Sequence, residues 1–160
     1  MLRQIGCSFS LFLSLLLLAG RVSGEDVTPL AGTWHLNVAQ SNFASGPPAY
    51  SRVIFRIEPH DDGLKVVYDM IGTRGGVTHW EWTGKLDGKD YALQGVEEVV
   101  TNAYSRIDDR TFTIVTKVDG RPTGTTRIVV SADRKTMTVT SPATNPRGQR
   151  VVNTAIYEKL

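Results

Sequence analysis

Cysteine is nearly absent from this 160-residue sequence, Cys7 being the only one. It stands ahead of an apolar run, not at the end of the run where a lipid-bearing cysteine would be. The chain beyond it has neither a disulfide nor a thiol nucleophile, so its core must hold the fold unaided. A surplus of one charge is missing too. The 18 Lys and Arg face 16 Asp and Glu. Residues 1–24 contain Arg3 and Arg21 and no acid, so the remainder is balanced at 16 to 16. Nucleic-acid binders carry a basic surplus or stripe; nucleic acid is not an expected partner. There is no Gly-x-Ser-x-Gly elbow and no phosphate loop. His35, His60 and His79 fall on separate elements without ligand spacing, whereas a catalytic zinc takes three protein ligands. No metal and no cofactor is expected. His60-Asp61-Asp62 has the residue types of a metal site but reads as a solvated turn. No segment shows a helical period.

The one long apolar run spans residues 9–19, behind Arg3 and ahead of Val22-Ser23-Gly24. Charged start, short apolar run and small residues at a cut make a secretory signal peptide over residues 1–24. The run is shorter than the roughly 20 residues of a spanning helix, so no stable membrane anchor is expected. Residues 25–160 then form a single exported domain, periplasmic or extracellular, long enough for a sizeable core.

What is abundant is alternation. From Trp34 onward Trp34, Leu36 and Val38 share one side and Thr33, His35 and Asn37 the other, the period of a half-buried strand. Gly32 lets the backbone bend just before the largest side chain. Residues 39–50 read as a surface loop, with a short turn around 41–43. Strands follow at 52–58, 64–71, 77–84, 90–94, 96–107, 111–117, 124–131, 136–140 and 150–159. Asp62-Gly63 supplies positive φ to one hairpin, Asp87-Gly88-Lys89 turns another, and Asp119-Gly120-Arg121-Pro122 a third. Residues 141–149, with Pro142 and Pro146, read as a loop. About ten short strands at this spacing make an all-β sandwich or barrel. Short turns join neighbours antiparallel, giving an up-and-down meander. Closure removes the exposed edges, which favours the barrel.

Gly32-Thr33-Trp34 on the first strand and Tyr157-Glu158-Lys159 on the last resemble the two ends of the calycin barrels, above all the ten-stranded fatty-acid-binding proteins. The chain as a whole resembles a group of secreted bacterial proteins described as lipocalin-like. That likeness rests on Gly32-Thr33-Trp34-His35-Leu36-Asn37, Ser41-Asn42-Phe43, Asp87-Gly88-Lys89-Asp90-Tyr91 and Ser131-Ala132-Asp133-Arg134-Lys135. It implies a meander of about ten strands closed into a lipocalin/fatty-acid-binding-protein-like barrel, and it brings no activity with it. It also implies that Trp34 plugs one end beside a basic side chain, Arg127 or Arg150. The fatty-acid-binding proteins hold a carboxylate with Arg-x-Tyr in the last strand; here that place reads Ala155-Ile156-Tyr157, with the tyrosine present and the arginine missing. Their helix pair between the first two strands has no counterpart in residues 39–50.

Gly32 and Trp34 are thus structural. Trp80 and Trp82 share a face. Turned inward, they line a pocket for an apolar ligand, with Tyr68, Tyr104, Arg106, Arg127 and Tyr157 as the polar groups that orient it. Turned outward, they mark a contact surface. In that case His79 and Glu81 face the interior, where a histidine beside a carboxylate can serve as a general base. The reading favoured is a monomeric, exported binder of a small apolar or amphipathic molecule, without enzyme activity. The alternatives are an envelope or extracellular interaction or inhibitor module with a filled barrel, and a barrel enzyme using His79 and Glu81.

Overall fold

The computed structural model describes residues 29–160; the expected signal peptide lies outside the described residues. Ten strands follow one another: β1 (Gly32–Phe43), β2 (Tyr50–His60), β3 (Gly63–Gly72), β4 (Val77–Gly84), β5 (Tyr91–Gln94), β6 (Val100–Arg106), β7 (Thr111–Val118), β8 (Arg121–Val130), β9 (Thr136–Thr144) and β10 (Arg150–Lys159). Each pairs antiparallel with the next, and β1 pairs with β10 to close the barrel. The described residues hold no helix. The all-β, closed meander is as the alternation predicts.

Period two decides what each strand buries. Val53, Phe55 and Ile57 of β2 lie opposite Met70, Tyr68 and Val66 of β3, and Tyr68 and Val66 lie opposite Trp80 and Trp82 of β4. All of these belong to, or pack against, one interior cluster. The residues between them, Arg56, Lys65, Asp69, His79 and Glu81, form ion pairs on the outer wall.

One end of the barrel is sealed. Trp34, Leu30, Leu64, Phe112, Val130 and Met137 are fully buried there. The Trp34 indole donates to the carbonyl of Leu30 at 2.8 Å, tucking the incoming chain across the opening. The Lys159 ammonium sits 4.9 Å from the Trp34 ring centroid, a cation–π contact of about 0.5–2 kcal/mol. The basic partner is therefore Lys159, not Arg127 or Arg150. The direct β1–β10 pairing sets Lys159 opposite Trp34. Gly32 makes room for it: its φ is +134°, and a Cβ there would collide with the Lys159 side chain.

Four strand boundaries differ from the sequence reading by more than two residues. β1 runs on to Phe43, through a register break between Asn37 and Asn42. Within that break the Ser41 hydroxyl donates to Asn37 O at 2.7 Å and accepts from Ile156 N at 2.9 Å. Side-chain bonds thus carry the strand where Ser and Ala suggest a loop. β6 starts at Val100 rather than 96. β8 begins at Arg121, and a bulge between Thr116 and Lys117 accommodates Pro122. β9 continues through Pro142 to Thr144; beyond Thr140 it pairs only with β10, so the missing N–H of proline faces no partner strand. Gly63 has no positive φ; the turn takes it at Asp61 (φ 49°) instead. Gly63 is needed for close approach, because a Cβ there would meet the Gly84 carbonyl.

Candidate functional site

At the other end the wall opens. β1 pairs with β2 only from Gly32 to His35, so the two strands part beyond that point. Residues 44–49 bridge the gap as a strap. Asn153 pins it: Ser45 N donates to Asn153 Oδ1 at 3.0 Å, and Asn153 Nδ2 donates to Ser45 Oγ at 2.8 Å. Thr73 N donates to Ala49 O at 3.0 Å from the neighbouring turn. Under the strap lies an outer chamber of about 420 Å³, walled by Leu36, Phe43, Tyr50, Val53, Ala155 and Tyr157 among others.

A second chamber of about 200 Å³ lies deeper, between the strap and the sealed end. Its apolar wall comes from Leu30, Phe55, Ile57, Leu64, Val66, Ile114, Ile128, Met137 and Val139. Phe55 of the inner chamber stacks on Tyr157 of the outer one with ring centroids 4.7 Å apart, and Val139 touches both spaces. The Phe55–Tyr157 pair is thus the partition between them. Among the described residues no charged side chain lines either chamber.

The polar groups of the inner chamber are few: Tyr68, Asn102, Tyr104, Thr116 and Thr126. The hydroxyls of Tyr68 and Tyr104 are 2.6 Å apart. Desolvation pushes the Tyr68 phenol up to about 12, against the smaller lowering effect of the Tyr104 hydrogen bond. Burial holds Tyr104 well above the ordinary phenol value, helped by the charge and hydrogen bond of Tyr68. Tyr157 is raised by burial as well. All three are neutral hydroxyls at physiological pH. Thr116 Oγ1 donates to Asn102 Oδ1 at 2.8 Å.

Of the residues singled out in the sequence, Tyr68, Tyr104 and Tyr157 do line the interior. Trp80 and Trp82 also face inward, but neither lines a chamber. Trp82 is filler: its ring packs tilted against Tyr104 with centroids 4.2 Å apart, meets Tyr91 edge-on at 5.9 Å, and its N–H donates to Asn102 O at 3.1 Å. Trp80 is half-buried against the same cluster. Arg127 is exposed, set between Thr113 and Thr140 on the outer wall. Its neighbours Thr126 and Ile128 have the inward parity, so Arg127 cannot reach the interior. Arg106 bends to the β6–β7 turn, donating to Asp108 O at 3.2 Å and Asp109 Oδ1 at 3.0 Å. Neither arginine enters a chamber.

His79 and Glu81 lie outside, facing solvent. His79 Nδ1 is 2.7 Å from Asp69 Oδ1 and its Nε2 is 3.3 Å from Glu81 Oε1. Among the described residues no group of His, Cys, Asp and Glu is arranged to hold a metal ion. Asn102, Phe55, Ile114, Thr126 and Val139 are chamber residues that were not singled out. Asn102 shares the alternating face of Tyr104, which is the one signal that could have found it. Compared with models of known protein families the chain matches none, and no curated protein matches it.

Proposed function

We propose that this is an exported binding protein that holds a small, mainly apolar molecule in the inner chamber of its barrel. One observation carries the reading: an apolar space of about 200 Å³, bounded by the sheet and lined at one end by Leu30, with a tyrosine pair set into its wall. Ligand pockets combine an apolar lining with few placed polar groups in this way. The resemblance to lipocalin-like and fatty-acid-binding barrels supports an interior ligand. The leader-like residues 1–24 support export, and the charged outer wall of β2, β3 and β4 supports an aqueous compartment over a lipid-facing one. Among the described residues neither chamber is lined by a charged side chain, which favours this reading over carboxylate carriage of the Arg-x-Tyr kind. The interaction-module alternative would be favoured by outward tryptophans, and these two point in.

The test is native mass spectrometry of the mature protein, purified gently from its own host, beside an Ile114→Trp variant that fills the inner chamber. A stoichiometric small molecule on the parent and none on the variant is expected. A molecule that stays bound to the filled variant would overturn the assignment to this chamber.

A further inference from the structure

We propose that the inner chamber selects a compact, uncharged molecule bearing a hydrogen-bond acceptor, of which a carbonyl compound is the type. The inference rests on the ligand-binding reading above and gives that ligand its chemistry. Three observations carry it.

The first is the count of donors and acceptors. One O–H is consumed between Tyr68 and Tyr104, whichever of them donates. A phenol has one O–H, so the pair always keeps one O–H unspent. Asn102 spends Oδ1 on Thr116, and its Nδ2 has no hydrogen-bond partner among the described residues. The amide and carbonyl oxygens of Asn102 each already accept one bond, Oδ1 from Thr116 and the main-chain carbonyl from Trp82. The Thr126 hydroxyl in the lining can donate or accept, so the groups that can only be satisfied by the ligand are the spare phenol O–H and the Asn102 N–H groups, and these call for an acceptor.

The second is the missing charge. Neither chamber is lined by a cation among the described residues, and Arg106 and Arg127 are held elsewhere. A carboxylate in such a space would lose its hydration with no counter-charge to replace it, and that cost is prohibitive. The third is size. An aliphatic cavity of roughly 150 Å³ takes up benzene; about 200 Å³ suits a substituted single ring or an equally short chain. A long acyl chain does not fit without crossing the Phe55–Tyr157 partition.

The experiment is calorimetric titration with three probes of nearly equal shape: acetophenone, cumene and benzoate. Each is run against the parent and the double variant Tyr68→Phe, Tyr104→Phe. Removing both hydroxyls together leaves no orphaned partner, so the double variant keeps its fold, and cumene binding reports that directly. On the parent, acetophenone and cumene bind and benzoate does not. On the double variant, acetophenone weakens about three- to tenfold while cumene is unchanged. Each single variant still owns one O–H and keeps most of the acetophenone affinity. Equal losses for the two uncharged probes, or benzoate binding as tightly as acetophenone, would overturn the inference and leave the ligand-binding reading intact. Binding of none of the three by the parent would overturn both.

Discussion

The two ends of this barrel are built on opposite principles. At the sealed end the side chains that shut the opening are fully buried: Trp34, Leu30, Leu64, Phe112, Val130 and Met137. Around the strapped end four apolar side chains stay in water, Val77 81% and Val99 66% exposed with Ile71 and Val152 less so, whereas at the sealed end the exposed apolar residues, Ile107 and Leu160, lie on the rim outside the plug. The sealed end is closed by packing, the strapped end by a few hydrogen bonds across a gap that β1 and β2 do not pair to fill. Packing of a core is dense and costly to disturb, while a strap held by hydrogen bonds opens at low cost. On the proposed ligand-binding reading, the difference assigns stability to one end and traffic to the other, with the strap as the proposed route to both chambers.

The largest effect tests the sealed end. Trp34→Ala removes a fully buried indole, its bond to Leu30 O and the ring under Lys159. Truncating a buried aromatic costs about 3–5 kcal/mol, a large share of the stability of one domain. Urea denaturation is expected to show that loss, and the inner chamber should lose its floor, since Leu30 is held there by the same indole. A loss below about 1 kcal/mol would mean that the plug is not the keystone of this end.

A smaller effect tests the strap. Asn153→Ala deletes both bonds to Ser45 and is expected to cost only about 0.5–1.5 kcal/mol. Its consequence should be kinetic: stopped-flow uptake and release of cumene both faster than in the parent, with the equilibrium affinity nearly kept. Unchanged rates would place the ligand route elsewhere in the wall. The seam at β5 is then the place to look, because β5 pairs with β4 and with β6 through two residues each.

Strand number was legible in the sequence because it depends on local signals, closure followed from the cost of exposed edges, and the plug was what the resemblance of Gly32-Thr33-Trp34 implied. Alternation locates the strands, turn residues separate them, and Gly32 ahead of Trp34 marks the entry. Alternation also says which residues share a face, but not which face is enclosed where both are mixed. β4 is the example: Trp80 and Trp82 against His79 and Glu81 become inner and outer only once β3 and β5 pair on either side. Arg127 is the counter-case: a single residue step sets it opposite Thr126 and Ile128, so parity alone places it on the outer wall once those two are inside. The Tyr68–Tyr104 contact joins residues 36 apart in the chain, from strands that are not neighbours. Only barrel closure brings them together, and no local pattern records that.

The smallest effect concerns the wall between the two ends, where Arg56, Asp69, His79, Glu81 and Lys65 form a chain of charges. The hydrogen bond to Asp69, then that to Glu81, raises the His79 pKa. The Asp69 pKa is lowered first by His79, and that of Glu81 first by Lys65. A raised histidine contributes its stability fully below its unfolded value of about 6.5 and loses it as pH rises through the folded value. Lowered carboxylates contribute above their unfolded values of about 4 and lose it as pH falls. The chain is therefore strongest between about pH 4.5 and 6.5, and solvent screening keeps it weak. Thermal unfolding from pH 6 to pH 8.5 is expected to show a slightly steeper decline in the parent than in His79→Ala, and molar salt should erase the difference. Identical slopes at low salt would show that the wall charges are energetically silent. A large, salt-resistant difference would break the division proposed here, because stability would then reside in the wall as well as in the sealed end.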